Sequence, residues 1–315
     1  MYGEKISALG KALSDNIGKV ILGKEGQIKL IIAALFSEGH ILLDDIPGTG
    51  KTTLARALAR SISADCKRIQ FTPDILPSDI TGINFFSQKE SEFIFRRGPV
   101  FSNIVIADEI NRTTPRTQSA LLECMAEGQA TVDGVTYELE APFFVIATQN
   151  PIESYGTFPL PEAQTDRFLM KMSLGYPDFE SEMAMLDSQR DAVPLELISP
   201  ICTKNHIVAA AEAVKKITVG DNIRKYIVLI AEQSRKMDRI AVGISPRGSL
   251  ALLRCVKTFA YLDGRDYVTP DDVKAVAVPV LAHRIVMGYG DNSKTDKLME
   301  RIIQNTVVPT EDFNK

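Results

Sequence analysis

The ten residues "DDIPGTGKTT", 44 to 53, decide how this chain is read. They have the make-up of a phosphate cradle: glycines that let the backbone turn tightly, a lysine, and threonines beside it. A cradle of this kind aims backbone amides and a helix N-terminus at an anion and adds one positive charge. The usual pattern, G-x-x-x-x-G-K-[S/T], begins with a glycine. Asp45 stands at that position.

The flanks decide between a working site and a glycine-rich turn. Upstream, "GHILLDD" is a short apolar run after a glycine, which predicts a buried strand. Downstream, Leu54, Leu58 and Ile62 recur at helical spacing. The motif therefore sits between a strand and a helix, the setting it requires. Asp45 falls at the end of the strand, before the loop curves, so the phosphate-binding half is intact. Gly48 and Gly50 allow the tight backbone, Lys51 would neutralise the β- and γ-phosphates of a nucleotide, and Thr52 would bind Mg²⁺.

Two further apolar runs end in polar residues that such a site needs. "NIVIADE" ends in Asp108, placed to hold Mg²⁺ through water, and Glu109, placed to polarise an attacking water. "VIATQNP" carries Asn150, placed to orient that water or sense the γ-phosphate. Phosphoryl transfer also needs positive charge on the transition state. Arg167 in "PEAQTDRF" and Arg247 in "GISPRGSLALL" are the candidates, with Arg112 in "DEINRT" a weaker one.

The remaining runs, "KRIQFT" and "FLMKMSL", alternate with helical stretches, which predicts a parallel sheet covered on both faces. Two segments break the alternation and predict hairpins. One lies within residues 82–98; the other, near 129–142, turns at Asp133-Gly134. From about Ser181 the apolar spacing is helical almost throughout, and "TPDDVKAV" opens a helix with a capping threonine and a proline in the first turn. Residues 1–177 are expected to form the nucleotide-binding core and 181–315 a smaller helical domain.

The whole-chain balance fits this reading. The 315 residues are 45% hydrophobic and 24% charged, as in a globular protein. A formal charge of −4 argues against bulk nucleic-acid binding. The four cysteines and three histidines are scattered, so neither a C-x-x-C pair nor a histidine metal site is expected. No secretory signal and no run near the ~20 apolar residues of a membrane span are read, which predicts a cytoplasmic protein.

Taken in order, "LLDDIPGTGKTTLARALA", "FTPDILPSDITG", "IADEINRTTPRTQSALLECMAEGQATVDG", "ATQNPIESYGTFPLPEAQTDRF" and "ISPRGSLALL" resemble the successive blocks of the MoxR family of AAA+ ATPases. The resemblance implies an α/β AAA+ P-loop NTPase core, its parallel sheet covered by helices, plus a smaller C-terminal all-helical lid domain. It implies Walker A at Gly48, Thr49, Gly50, Lys51, Thr52 and Thr53, and Walker B at Asp108 and Glu109. It further implies sensor 1 at Asn150, an arginine finger at Arg167, a sensor 2 arginine at Arg247 and an adenine-side segment at Gly23. Its cofactors would be ATP and Mg²⁺. Its assembly would be a ring, usually a hexamer, that matures or activates protein complexes, often with a partner carrying a von Willebrand factor A domain. Rival readings are a chelatase-type or DNA-handling motor, and a nucleotide-gated binding module with negligible turnover.

Overall fold

The protein, seen as a computed structural model, is described over residues 2–46, 48–150, 156–188, 194–288 and 295–309. The first part runs α1 (Tyr2–Gly18), α2 (Glu25–Phe36), β1 (Ile41–Asp44), α3 (Lys51–Ser61), β2 (Cys66–Gln70), α4 (Pro77–Thr81), β3 (Gly82–Ser87), β4 (Glu92–Arg97) and β5 (Ile104–Asp108). It continues with α5 (Pro115–Glu127), β6 (Gln129–Val132), β7 (Val135–Glu138), β8 (Phe144–Gln149), α6 (Glu162–Thr165) and β9 (Met170–Met172). Then follow α7 (Phe179–Ser188), α8 (Lys204–Lys215), α9 (Asp221–Lys236), β10 (Ile240–Val242), α10 (Pro246–Leu262), α11 (Pro270–Leu281), β11 (Val286–Met287) and α12 (Thr295–Asn305).

Five strands form one sheet in the order β2-β5-β8-β1-β9, each neighbour parallel to the next. Parallel neighbours need crossovers, and the crossover helices cover both faces. The burial pattern shows why these strands read as unbroken apolar runs. Ile41 and Leu43 face one core with Ile104, Ile106 and Ile146, against α1, α2 and α3. Leu42, Val105, Ala107, Val145 and Ala147 face a second core with Leu121, Leu122 and Met125 of α5. Each fully buried residue of this kind contributes roughly 1.5–3 kcal/mol, so an apolar residue is favoured on both sides of the pleat.

Both expected hairpins are present. β3 pairs antiparallel with β4, and β6 with β7. Asp133 and Gly134 link the second pair with φ of +49° and +80°, the two-residue turn that the sequence predicts. The hairpins touch: the Phe95 and Tyr137 rings stack with centroids 4.3 Å apart, and Asn84 Nδ2 donates to Asp133 Oδ2 at 2.9 Å.

The C-terminal part is helical, as expected, with one addition. β10 and β11 form a short antiparallel ribbon, too brief to stand out from the helical spacing around it. Thr269 caps α11, and the Asp272 carboxylate accepts from the Thr269 N–H at 2.7 Å and from both Nη atoms of Arg265. The buried faces of α8 to α12 belong to the same core as α1 and α2. Among the described residues no helix is long and apolar enough to cross a membrane.

Candidate active site

The cradle forms where the sequence places it. Gly50 caps α3, so the amides of its first turn face the loop. Gly48 and Gly50 have φ of +88° and +84°. A Cβ would meet nothing within 4 Å at Gly48 and only Ile21, at 4.0 Å, at Gly50. Glycine is needed here for backbone conformation, not for room. Pro47, within the loop, lies outside the described residues, as do residues 151–155 after Asn150.

Asp45 points away from the phosphates. Its carboxylate is buried and accepts from Ser173 Oγ at 2.6 Å, the Leu174 N–H at 2.6 Å and the Gly175 N–H at 3.1 Å. The first glycine of the motif is thus replaced by a tie to the chain just after β9. Lys51 Nζ donates to the carbonyls of Asp45 and Ile46 at 2.8 and 3.1 Å.

A cleft of about 410 Å³ opens over the loop at the carboxyl ends of the strands. Gly48, Gly50, Lys51, Thr52, Thr53, Asp108, Glu109 and Asn150 all line it. Thr49 faces away, its hydroxyl 3.4 Å from the Ile46 carbonyl. Gly23 does not line this cleft. It turns at φ +67° beside α7, where a Cβ would strike Ser181 Oγ at 2.2 Å, and its neighbour Ile21 reaches Gly50.

Three cleft residues beyond the predicted set hold the acidic pair. Asp108 Oδ1 accepts from Thr148 Oγ1 at 2.6 Å, and Oδ2 accepts from Arg68 Nη2 at 2.6 Å. The Glu109 N–H donates to Thr148 Oγ1 at 2.9 Å. Glu109 Oε2 accepts from Gln70 Nε2 at 2.8 Å and Arg112 Nη1 at 3.1 Å. Glu109 has φ +57°, a left-handed conformation that costs a non-glycine residue roughly 1–3 kcal/mol and recurs where function requires it. Arg68 and Gln70 were legible in principle: alternate residues of a strand share one face, and Ile69 between them is core.

The donor set fits Mg-nucleotide. A hydroxyl from Thr52 and a carboxylate from Asp108 share the cleft, and Mg²⁺ favours few protein oxygens completed by water and phosphate. Among the described residues no cluster of three or more His, Cys, Asp or Glu competes as a metal site.

Arg167 and Arg247 are not in this cleft. They line a separate cavity of about 320 Å³ with Glu38, His40, Asp166, Arg254 and Arg284. Gly39 and His40 immediately precede β1, so this cavity lies at the amino ends of the strands. At roughly 3.3 Å per residue, the five steps from His40 to Asp45 span roughly 16 Å. Arg167 Nη1 donates to the Leu122 carbonyl at 2.8 Å, and Arg247 Nη1 lies 3.5 Å from Asp166 Oδ2. His40 is buried beneath them. Desolvation lowers its pKa to about 4; the Met125 carbonyl opposes this and Arg254 adds to it. Its Nδ1 accepts from the Val145 N–H at 3.1 Å, which leaves Nε2 to donate to the Met125 carbonyl at 3.0 Å. The cysteines are free; burial pushes Cys124 and Cys255 up to about 12 and Cys202 to about 11.

The chain is similar to known proteins over most of its length. The family described as "ATPase family associated with various cellular activities (AAA)" matches residues 40–170, and the AAA lid domain matches 232–304. Chaperone MoxR1 of Mycobacterium tuberculosis is 36% identical over 317 aligned positions, covering 97% of this chain and 83% of its own. The chain belongs to the MoxR family of AAA+ ATPases. The uncharacterized protein YeaC of Bacillus subtilis is 50% identical over 279 residues, 89% of this chain and 87% of its own. The crystal structure of a candidate ATPase from Cytophaga hutchinsonii superposes with a TM-score of 0.89 at 38% identity, covering 98% of each chain.

Proposed function

We propose that this MoxR-family protein hydrolyses Mg-ATP in the cleft at the carboxyl ends of the strands. The arginines come from a neighbouring copy in a ring, and the cycle remodels protein clients. The observation that carries the reading is the separation of the two arginines from the cradle. Within one chain, Arg167 and Arg247 sit at the far end of the strands from Lys51. The arginines nearby are engaged by the acidic pair, Arg68 by Asp108 and Arg112 by Glu109, so on this reading a second copy supplies the transition-state charge, and a head-to-tail contact that repeats closes into a ring.

In this mechanism Lys51 leaves the carbonyls of Asp45 and Ile46 for the β- and γ-phosphates, and the amides of Gly48 to Thr53 hold the remaining oxygens. Thr52 and Asp108 would hold Mg²⁺, which when bound offsets charge on the phosphates. Glu109 accepts the proton of the attacking water, and Asn150 orients that water. Gln70 Nε2 and Arg112 Nη1 hold the Glu109 carboxylate. Gly23 and its turn form the adenine side.

The client surface of this reading is the pair of hairpins, where Phe85, Phe86 and Phe93 are exposed. The chaperone name of the Mycobacterium relative supports a protein client. A hexamer, a von Willebrand factor A partner and a cytoplasmic location complete the proposal, with residues 1–177 as the motor core and 181–315 as the lid.

Partner capture from the source cell tests it. Glu109→Gln, locked in its ATP state, should retain partners with ATP that it does not retain with ADP, a von Willebrand factor A protein among them. Identical partners in both states would count against remodelling, since a ligand shifts a conformation only by its differential affinity.

A further inference from the structure

Three lid side chains reach the arginine turn: Arg247 at Asp166, His283 Nε2 at 3.2 Å from the Phe168 carbonyl, and Arg284, which makes most of the bonds. Arg284 ends the short 3-10 turn Ala282–Arg284 that follows α11, and its side chain is 4% exposed. Its five N–H donors meet five oxygens, the full inventory of a guanidinium. Nε donates to Asp166 Oδ1 at 2.7 Å. Nη2 donates to the carbonyls of Asp166 at 3.1 Å and Phe168 at 2.7 Å. Nη1 donates to the carbonyls of Leu169 at 3.2 Å and Val280.

Four of these five bonds grip residues 166, 168 and 169, which bracket Arg167. The fifth returns to α11. A buried guanidinium needs a partner for every donor, and what marks this one is where those partners lie. Here the backbone on both sides of Arg167 is held, and Asp166 Oδ2 is left to face Arg247. Arg167 and Arg247 are exposed to solvent, while Arg284 is enclosed. Lysine cannot reproduce this fork, because its donors radiate from one atom.

We propose that Arg284 is the positioning residue for the arginines supplied in trans. It makes the turn that carries Arg167 move with the lid, so the lid of one subunit sets the finger at its neighbour's site. This rests on the trans reading above.

Subunit mixing tests both and separates them. Arg284→Lys should bind ATP like the parent, which also shows that it is folded, with KM unchanged. Its kcat should fall roughly 10- to 100-fold, the size typical of an outer partner that orients a reacting group. Added Glu109→Gln subunits, hydrolytically dead but with an intact finger, should restore turnover at the Arg284→Lys sites. Asp166→Asn, which keeps the side-chain shape but not its charge, should show the same split and the same rescue. Arg167→Ala mixed with Glu109→Gln is the reference. If Arg167→Ala is rescued and Arg284→Lys is impaired but not rescued, Arg284 acts on its own site and the proposal falls. Parental kcat in Arg284→Lys alone would also overturn it. If Arg167→Ala is not rescued, the trans reading fails and the proposal with it.

Discussion

On the proposed function the two ends of the central sheet carry different parts of the chemistry, and they are built in different ways. At the carboxyl ends, each candidate group lies on a strand terminus, the residue just after it or the helix start that follows: Lys51 and Thr52 open α3 beyond β1, Asp108 ends β5 with Glu109 next, and Asn150 follows β8. At the amino ends, Arg167 before β9, Arg247 and Arg254 of α10, and Arg284 after α11 gather around one cavity, and Arg247 and Arg284 share the Asp166 carboxylate. The first arrangement follows from the parallel sheet, which sets the carboxyl ends of β1, β5 and β8 side by side. The second exists only once the lid has packed on the core. A site of the first kind can bind; completing it for catalysis depends on tertiary and quaternary packing.

That division of labour predicts different mutant phenotypes. Arg167→Ala should lower turnover about 10³- to 10⁵-fold, or about 4–7 kcal/mol of barrier, with nucleotide affinity unchanged. Lys51→Ala should remove nucleotide binding itself, and Glu109→Gln should bind and not turn over. Equilibrium binding of a fluorescent ATP analogue beside single-turnover rates distinguishes the three. Loss of binding in Arg167→Ala comparable to that in Lys51→Ala would end the distinction between the two ends.

The amino end should also be the acid-sensitive one. The folded pKa of His40 is lowered to about 4, against 6.5 for an ordinary histidine. Its neutral ring therefore contributes stability that is complete above pH 6.5 and is lost as pH falls toward 4. The full span is roughly 3 kcal/mol. Chemical denaturation at several pH values should show a flatter profile in His40→Gln than in the parent across that window. Parallel profiles would mean that the native ring takes up the proton.

A smaller effect belongs to the carboxyl end. Thr148→Val removes the hydroxyl that joins Asp108 to the Glu109 amide, and should cost about 1–3 kcal/mol in turnover barrier or stability. The smallest effect should come from outside both ends. Phe93→Ser on the exposed hairpin should leave stability within about 0.5 kcal/mol and basal ATPase unchanged, while abolishing stimulation by a client. A change in basal rate would show that the hairpins act on the cleft without a client.

Legibility in the sequence followed the same line. The strands, the two hairpins and the cradle were readable because each rests on a contiguous pattern: an apolar run, an Asp-Gly turn, a glycine pair before a lysine. Arg68, Gln70 and Thr148 were missed because their strands were read for apolar content rather than for the polar face that alternation leaves. Arg284 was not readable at all. Nothing near "LAHRIVMG" distinguishes a buried clamp from a surface arginine, since its partners lie 115 to 118 residues earlier. The ribbon of β10 and β11 was hidden for the same reason, its two short runs being separated by α10 and α11.

Asp45 has a consequence for how such chains can vary. Its three donors are Ser173 Oγ and the amides of Leu174 and Gly175. A glycine at position 45 would restore the textual motif and strand those donors. An aspartate without them would bury an uncompensated charge. The first motif position and the turn after β9 are therefore coupled in this chain. Among related chains, the residue at position 45 and the conformation of residues 173–175 should change together or not at all.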